Sequence, residues 1–403
     1  MHPEPSDEPA GGATPGGAAD RDIGVAVIGF GWMGRVHAQA YLRVRHHFPR
    51  APLVPRLVAV SDPEPDRLDD AARRYGFHRQ LGDWRDLIED PQVQAVSITA
   101  PNFLHREIGT AMADAGKHVW IEKPVGLTAE DARAVADAVA RAGVRSTVGF
   151  NYRNVPAVEH ARQLIVDGAI GTVTHARFRL FSDYAAHPQG ALSWRFERER
   201  GGPGVLGDLV SHGVDLARYL LGELDTLVAD TAVFIPERPR PTGAISHYAI
   251  AEGDDLAAVE NEDYLGCMIR TVGGARLTLE SSRVSVGEQC NYGFEIHGTR
   301  GLLLWDFRRM GELGVSAGDA YQDQYVTTVF AGPAHGTFGA FQPGAGLAMG
   351  FDDLKVVEAA HFLRSIADGR PHGATVEDAV RSAVALEAMA TSARTGTWVP
   401  VRP

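Results

Sequence analysis

Ile23-Gly-Val-Ala-Val-Ile-Gly29-Phe-Gly31-Trp-Met-Gly34 is the stretch that decides the fold. Its apolar run, Ile23 to Ile28, suits a strand buried on both faces. The run ends in Gly29-x-Gly31-x-x-Gly34, and a helical pattern follows through about Arg43. In such a turn the first glycine permits the tight bend and the second lets backbone approach a pyrophosphate. The third lets helix and strand pack closely. The helix N-terminus adds N–H donors and the positive end of a dipole. Gly29, Gly31, Trp32, Met33 and Gly34 are therefore expected to line a dinucleotide. The motif is weak alone and gains its weight from the strand–turn–helix setting.

The same alternation continues outward. Arg56–Asp62, Gln94–Ala100, His118–Glu122 and Arg145–Asn151 read as further buried strands. Helical stretches lie between them: Asp66–Tyr75, His105–Ala115, and one capped by Thr128 and stopping at Gly143. Strands alternating with helices of this length predict a doubly wound parallel α/β sheet over 22–150. After residue 151 the rhythm changes. Helices are expected over Val155–Val166 and Asp208–Leu221, followed by β-like runs including Val173–Phe181, Thr226–Ile235, Gly266–Val272, Ala275–Ser282, Tyr292–His297 and Leu302–Phe307. Val272-Gly-Gly-Ala275 is a hairpin turn, and His297–Gly301 is a second turn. Residues 151–403 thus read as an α+β substrate-binding and oligomerisation domain with a large, mostly antiparallel open sheet. Pro236–Ala258 and Ala331–Ala348 read as long loops, and two helices, Asp352–Asp368 and Thr375–Thr395, close the chain.

Bulk properties narrow the function classes. A chain of 403 residues is long enough for two domains. Net charge of −12, with no basic cluster, argues against nucleic acid as a partner. No apolar run reaches membrane-spanning length. Residues 1–21, rich in Pro, Gly, Ala and acid, read as a disordered tail rather than a signal peptide. Cys267 and Cys290 stand far apart, which gives neither a disulfide framework nor a metal spacing. A cytoplasmic enzyme with no metal is the expectation.

Three places carry chemistry. Asp62 ends the second strand, where a carboxylate can hold adenosine ribose hydroxyls and repel a 2′-phosphate, favouring NAD. It lies further from Gly29 than the usual ~20 residues, a gap that Phe48–Pro55 fills as a loop, and Arg67 keeps NADP open. Lys123, in Glu122-Lys-Pro124, ends the fourth strand and points to the crevice where ligands of such sheets bind. Asp208 and His212 are four apart on a helix, preceded by glycines at 201, 202, 204 and 207 that allow close approach. A histidine with an acidic neighbour makes a proton acceptor near neutral pH. Taken singly, each has a bland reading: a strand-end lysine, a helix-capping aspartate, a core histidine.

Gly29–Gly34, Thr99-Ala-Pro-Asn-Phe-Leu-His105, Glu122-Lys-Pro124, Gly149-Phe-Asn-Tyr-Arg153 and Asp208-x-x-x-His212 occur in the order that resembles the glucose–fructose oxidoreductase/inositol dehydrogenase (Gfo/Idh/MocA) family. The resemblance spans roughly residues 22–400. It implies catalytic roles for Lys123, Asp208 and His212, with Asp208 orienting His212 or pairing with Lys123, and places Asn102, His105, Glu122 and Lys123 along the cofactor. It also implies a homo-oligomer, dimer or tetramer, through the second sheet. Within the family, Leu192-Ser-Trp-Arg-Phe196, Ile235-Pro-Glu-Arg-Pro239, Phe294–Thr299 and Ala331–His335 are similar to levoglucosan dehydrogenases and related sugar 3-dehydrogenases. That likeness brings Trp194 and Arg195 to the site, alongside Asn151, Tyr152 and Arg153 as sugar contacts.

The expected reaction is NAD(P)-dependent hydride exchange at a ring hydroxyl or ketone of a sugar, anhydrosugar or cyclitol. Rivals are an NAD-dependent glycosidase acting by transient oxidation and elimination, an NADPH-dependent ketosugar reductase with phosphate-binding arginines near Arg195–Arg200, and a non-catalytic sensor.

Overall fold

The computed structural model describes residues 22–241, 249–251 and 255–402. The tail expected over 1–21 lies outside them, as does part of the loop expected over 236–258. The first sheet contains β1 (Asp22–Ile28), β2 (Val54–Ser61), β3 (Arg79–Leu81), β4 (Ala95–Ile98), β5 (His118–Ile121) and β6 (Ser146–Val148). Their order is β3-β2-β1-β4-β5-β6, all parallel. This is a Rossmann sheet, and its chain order reverses between β1 and β4, where the crevice for a ligand opens. β4 and β5 are buried on both faces apart from His118, as continuous apolar runs require. Helices α1 (Trp32–His47), α2 (Pro65–Tyr75), α3 (His105–Asp114) and α4 (Ala129–Ala142) connect the strands. Thr128 and Asp131 close α4 with a reciprocal capping box, and Gly143 ends it in the left-handed conformation. β3 escapes the sequence reading because it is three residues long and only partly buried.

The chain then runs through α5 (Pro156–Val166), β7 (Val173–Phe181), a single helical turn α6 (Arg198–Gly201), α7 (Ser211–Leu221), β8 (Leu224–Ala232), β9 (Glu237–Pro239) and β10 (Leu256–Ala258). After them come β11 (Tyr264–Thr271), β12 (Arg276–Ser282), β13 (Asn291–Gly298), β14 (Gly301–Asp306), β15 (Glu312–Ala317), β16 (Thr327–Phe330), α8 (Phe351–Asp368), α9 (Val376–Thr395) and β17 (Val399–Pro400). β9 and β10 pair with each other. The remaining strands form a nine-stranded open sheet, β16-β15-β14-β13-β7-β12-β11-β8-β17. Only the β12–β7 pair is parallel. One face buries its alternate residues, such as Phe178, Leu180, Leu277, Leu279, Phe294 and Ile296, against α5, α7 and α9. The hairpin turn at Val272–Ala275 joins β11 to β12 as expected, with Gly274 at φ +91°.

A cut of the chain at residue 150 misses one feature. The last two helices return to the Rossmann sheet: Val356, Ala359, Phe362 and Leu363 of α8 pack with β1 and α1, and Val376 and Ala379 of α9 join the core around β4 to β6. Residues from the end of the chain therefore lie beneath the site built by its beginning.

Candidate active site

The Gly-rich turn is shaped to take a dinucleotide. Gly29 has φ +85°, and a Cβ there would lie 2.7 Å from the amide nitrogen of Ala100. A Cβ on Gly34 would overlap the carbonyl oxygen of Gly29, so α1 could not pack onto β1. Around Gly31 there is open space instead. Gly31 is also the N-cap of α1 and supplies no side-chain cap, and the first turn holds no acidic residue. The exposed first-turn N–H groups thus remain for a pyrophosphate. Trp32 borders this opening, 65% exposed and stacked at 5.6 Å on Phe351 at the start of α8. Met33 is half-buried beside it.

Asp62 is placed at the turn but faces inward. Its Oδ2 accepts from the Phe30 amide at 2.6 Å and its Oδ1 from the Glu64 amide at 3.0 Å. Arg67 lies 3.4 Å from both oxygens, and the carboxylate is buried. Asp62 thus braces the Gly-rich turn, with Arg67 as the outer group.

At the carboxyl end of β5 the peptide Lys123–Pro124 is cis. The Lys123 ammonium donates to the Asp208 carbonyl at 2.7 Å and to its Oδ1 at 3.2 Å. The Tyr184 hydroxyl donates to Oδ2 of the same carboxylate. Asp208 sits in a π-helical turn, Leu206–Val210, that leads into α7. Glycines bring this turn in. A Cβ on Gly204 would overlap the Glu262 carbonyl oxygen, and one on Gly207 would stand 3.7 Å from the Pro124 ring. Such turns gather at functional sites because they re-aim side chains.

Of the two partners open to Asp208, His212 one helical turn on and Lys123 at the end of β5, the Lys123 contact is present. The π turn widens the helix at Asp208, whose hydrogen bonds run to Lys123 and Tyr184. His212, in the first turn of α7, packs its ring 4.5 Å from that of Tyr152 and 6.1 Å from that of Phe150. It is 8% exposed, and its Nδ1 is buried with no hydrogen-bond partner among the described residues. Burial first, and the Lys123 ammonium second, hold its pKa well below 6.5. The ring is therefore neutral at physiological pH and competent to take a proton.

The other expected site residues separate into two groups. Asn151 is buried, and its Nδ2 has no hydrogen-bond partner among the described residues. Tyr152 backs His212 with its ring, and burial raises its pKa, so it stays protonated. Trp194 lies under the Arg195 guanidinium at 4.3 Å and edge-on to Phe103 at 6.2 Å. Asn102 reaches the Gly201 carbonyl at 3.5 Å, so the 102–104 turn and the 194–201 segment meet.

Three side chains are engaged elsewhere. Arg153 is committed to Asp215, 2.7 Å from Nε, and to Asp378, 3.3 Å from Nη1, and so does not turn into the crevice. His105 is buried, each ring nitrogen facing a carbonyl, Pro124 at 2.7 Å and Ala100 at 2.8 Å. Glu122 points into the core, where its Oε1 meets Lys355 at 2.5 Å and His37 at 2.9 Å. The arginines of 195–200 have separate partners: Arg195 lies over Trp194. Arg198 bonds the Glu260 carbonyl, and Arg200 pairs with Glu197 and covers Phe103. Tyr184, which holds Asp208, and Lys355, which holds Glu122, carry no signal in the sequence that singles them out.

The comparisons agree with this architecture. Residues 23–150 match the model of an oxidoreductase family with an NAD-binding Rossmann fold, GFO_IDH_MocA, and residues 158–304 match a C-terminal domain of the same family. The chain belongs to the Gfo/Idh/MocA oxidoreductase family. It is 36% identical to the levoglucosan dehydrogenase of Pseudarthrobacter phenanthrenivorans, over 94% of this chain and 98% of that protein. It is 28% identical to the inositol 2-dehydrogenase of Rhizobium meliloti, over 85% and 97%. A solved levoglucosan dehydrogenase in complex with NADH and levoglucosan superposes with a TM-score of 0.89, covering 95% of this chain and all of that one, at 36% identity.

Proposed function

We propose that this enzyme oxidises a ring hydroxyl of a sugar, anhydrosugar or cyclitol, with levoglucosan the first substrate to test, and that NAD is its preferred cofactor. The observation that carries the reading is the contact of Lys123 with Asp208 beside a neutral, buried His212. Gly29–Gly34 and the open start of α1 would hold the pyrophosphate. When bound, NAD supplies the hydride acceptor. His212 takes the hydroxyl proton as the carbinol carbon is oxidised, and returns it in the reverse direction. Lys123 stabilises the developing charge on the substrate oxygen. Asp208, held by Tyr184, positions Lys123. Asn151, Trp194 and Arg195 contact the sugar.

Residues 22–150 bind the dinucleotide, and 151–403 supply the substrate groups and the subunit contacts. The outward face of the nine-stranded sheet, with Met268 and the Arg177–Glu295 pair, forms the homo-oligomer. The protein works in the cytoplasm without nucleic acid; among the described residues no helix is long and apolar enough to cross a membrane.

A spectrophotometric screen for NADH formation across levoglucosan, hexoses and inositols tests the reaction. Substrate-dependent NADH accumulation is expected, faster with NAD than with NADP. Cleavage of a glycoside with no accumulating NADH would replace it with the oxidation–elimination reaction. A clear NADP preference would show that Arg67 overrides Asp62.

A further inference from the structure

Beneath the catalytic turn lies a second, closed group of charges. Lys355, in the second turn of α8, is 1% exposed. Its ammonium donates to Glu122 at 2.5 Å and to Glu358 at 2.7 Å. His37 of α1 meets the same Glu122 oxygen at 2.9 Å and stacks at 3.6 Å on Trp120. The other oxygen of Glu122 accepts the backbone N–H of Lys123 at 3.3 Å. Gly149 leaves room for this carboxylate, since a Cβ there would overlap it. His37, Glu122 and Glu358 bring three potential metal-ligand atoms within 4.8 Å, but the ammonium of Lys355 already bonds two of them.

Burying an ammonium is costly unless its partners compensate, and an apolar residue at this position of α8 would pack beside Leu354, Val356 and Val357 at no such cost. The cost is placed one residue from Lys123. We propose that Lys355 is a positioning residue: by fixing Glu122 it fixes the backbone of the Glu122–Lys123–Pro124 turn, and so sets where the Lys123 ammonium stands. The claim rests on the catalytic role given to Lys123.

The charged and titratable groups facing Glu122 are Lys355 and Glu358 from α8, His37 from α1 and Lys123 from its own turn, with His105 of α3, Tyr152, His212 of α7 and Asp208 of the turn before it within electrostatic reach. Burial, the dominant influence, lowers the His37 pKa to about 4, and Lys355 adds to this against the pull of Glu122. In the native protein His37 is neutral and Lys355 alone compensates Glu122. Removing the ammonium leaves His37 as the titratable side chain in hydrogen-bond contact with Glu122. The His37 pKa then rises, and the imidazolium replaces the ammonium at low pH. An imidazole whose folded pKa is raised contributes below its unfolded value and loses that contribution as pH rises through the folded one. Positioning by Lys355, which is independent of pH, becomes positioning by His37, which fails as pH rises.

The test is Lys355→Met, compared with the unmodified enzyme from pH 6 to 9 by two readouts: NADH affinity from nicotinamide fluorescence, and turnover. The ratio of variant to unmodified turnover should fall at least about ten-fold across the range, and NADH affinity should weaken several-fold in the same direction, because the backbone of the Glu122–Lys123–Pro124 turn shifts and not the Lys123 side chain alone. Adding His37→Gln to Lys355→Met should abolish the low-pH recovery, and Lys355→Arg should keep the ratio flat. A Lys355→Met enzyme that matches the unmodified one at every pH overturns the proposal. So does a variant that is unfolded at both ends of the range, which would assign Lys355 to folding alone. The binding arm needs no sugar. If the substrate reading is wrong, the unmodified enzyme shows no turnover while the pH-dependent loss of NADH affinity still appears.

Discussion

Helix α7 and the turn before it carry two ionic clusters with opposite characters. The first, Lys123, Asp208 and Tyr184 beside His212, is incomplete. Asp208 is about a third exposed, and buried nitrogens of His212 and Asn151 lack partners among the described residues. The second, two turns further on, is closed. Asp215 lies in the fork of Arg153, and Asp378 joins Arg153 to Arg218, which pairs in turn with Glu223. Buried polar groups are normally satisfied, so an unpartnered His212 nitrogen in the helix that carries Asp208 fits a place that a ligand completes. The difference separates chemistry from architecture on one helix. It moves Arg153, a sugar contact by sequence, into the architecture.

The comparison can be broken first at His212. His212→Ala should reduce turnover by about 10²–10⁴, the range for a lost general base, with NADH affinity little changed. The unmodified enzyme should keep its oxidation rate from pH 8 down to below pH 6.5, because burial and Lys123 hold the imidazole neutral there. A rate that fell already at pH 7 would contradict this.

At the closed cluster the expected loss is in stability. Arg153→Met leaves Asp215 buried beside no fork, and removing one partner of a buried pair costs about 3–5 kcal/mol. Urea denaturation should show this, while turnover per folded molecule stays within about two-fold. Loss of turnover without loss of stability would return Arg153 to the site.

Asp208→Asn sharpens the account of the open cluster. Asparagine keeps the shape but not the charge, so turnover should drop by about ten- to a hundred-fold in a stable protein that still binds NADH. Unchanged kinetics would make Asp208 a structural residue. Tyr184→Phe removes one of the hydrogen bonds to that carboxylate and should have the smallest effect, a few-fold in turnover. Because Asp208 serves Lys123, the loss should vanish in a Lys123→Ala background, which a steady-state double-mutant cycle reads directly.

Much of this was legible in the sequence because the sites sit where strands end, and strand ends carry punctuation. Gly29–Gly34, Glu122-Lys-Pro124 and the glycines before Asp208 constrain backbone as well as chemistry. What was hidden follows from the same physics. Tyr184 lies in an irregular segment after β7 with no motif around it. Lys355 and Glu358 interrupt the buried face of α8, and a charged pair at that spacing reads as an ordinary surface pair. Glu122 matched the cofactor-lining position of its motif, but alternation along β5 turns its side chain inward. β15 and β16 are short and partly polar, too weak a pattern to separate from loop. The π turn at Leu206–Val210 has no sequence signature, so spacing alone does not decide between His212 and Lys123 as the partner of Asp208.

The division between the two clusters is tested most directly by measuring turnover and NADH affinity of Lys123→Ala. Turnover should fall by about 10²–10³, the scale for losing a preorganised stabiliser of transition-state charge, with NADH affinity within a few-fold of the unmodified enzyme. Turnover within about ten-fold of the unmodified enzyme would contradict the account.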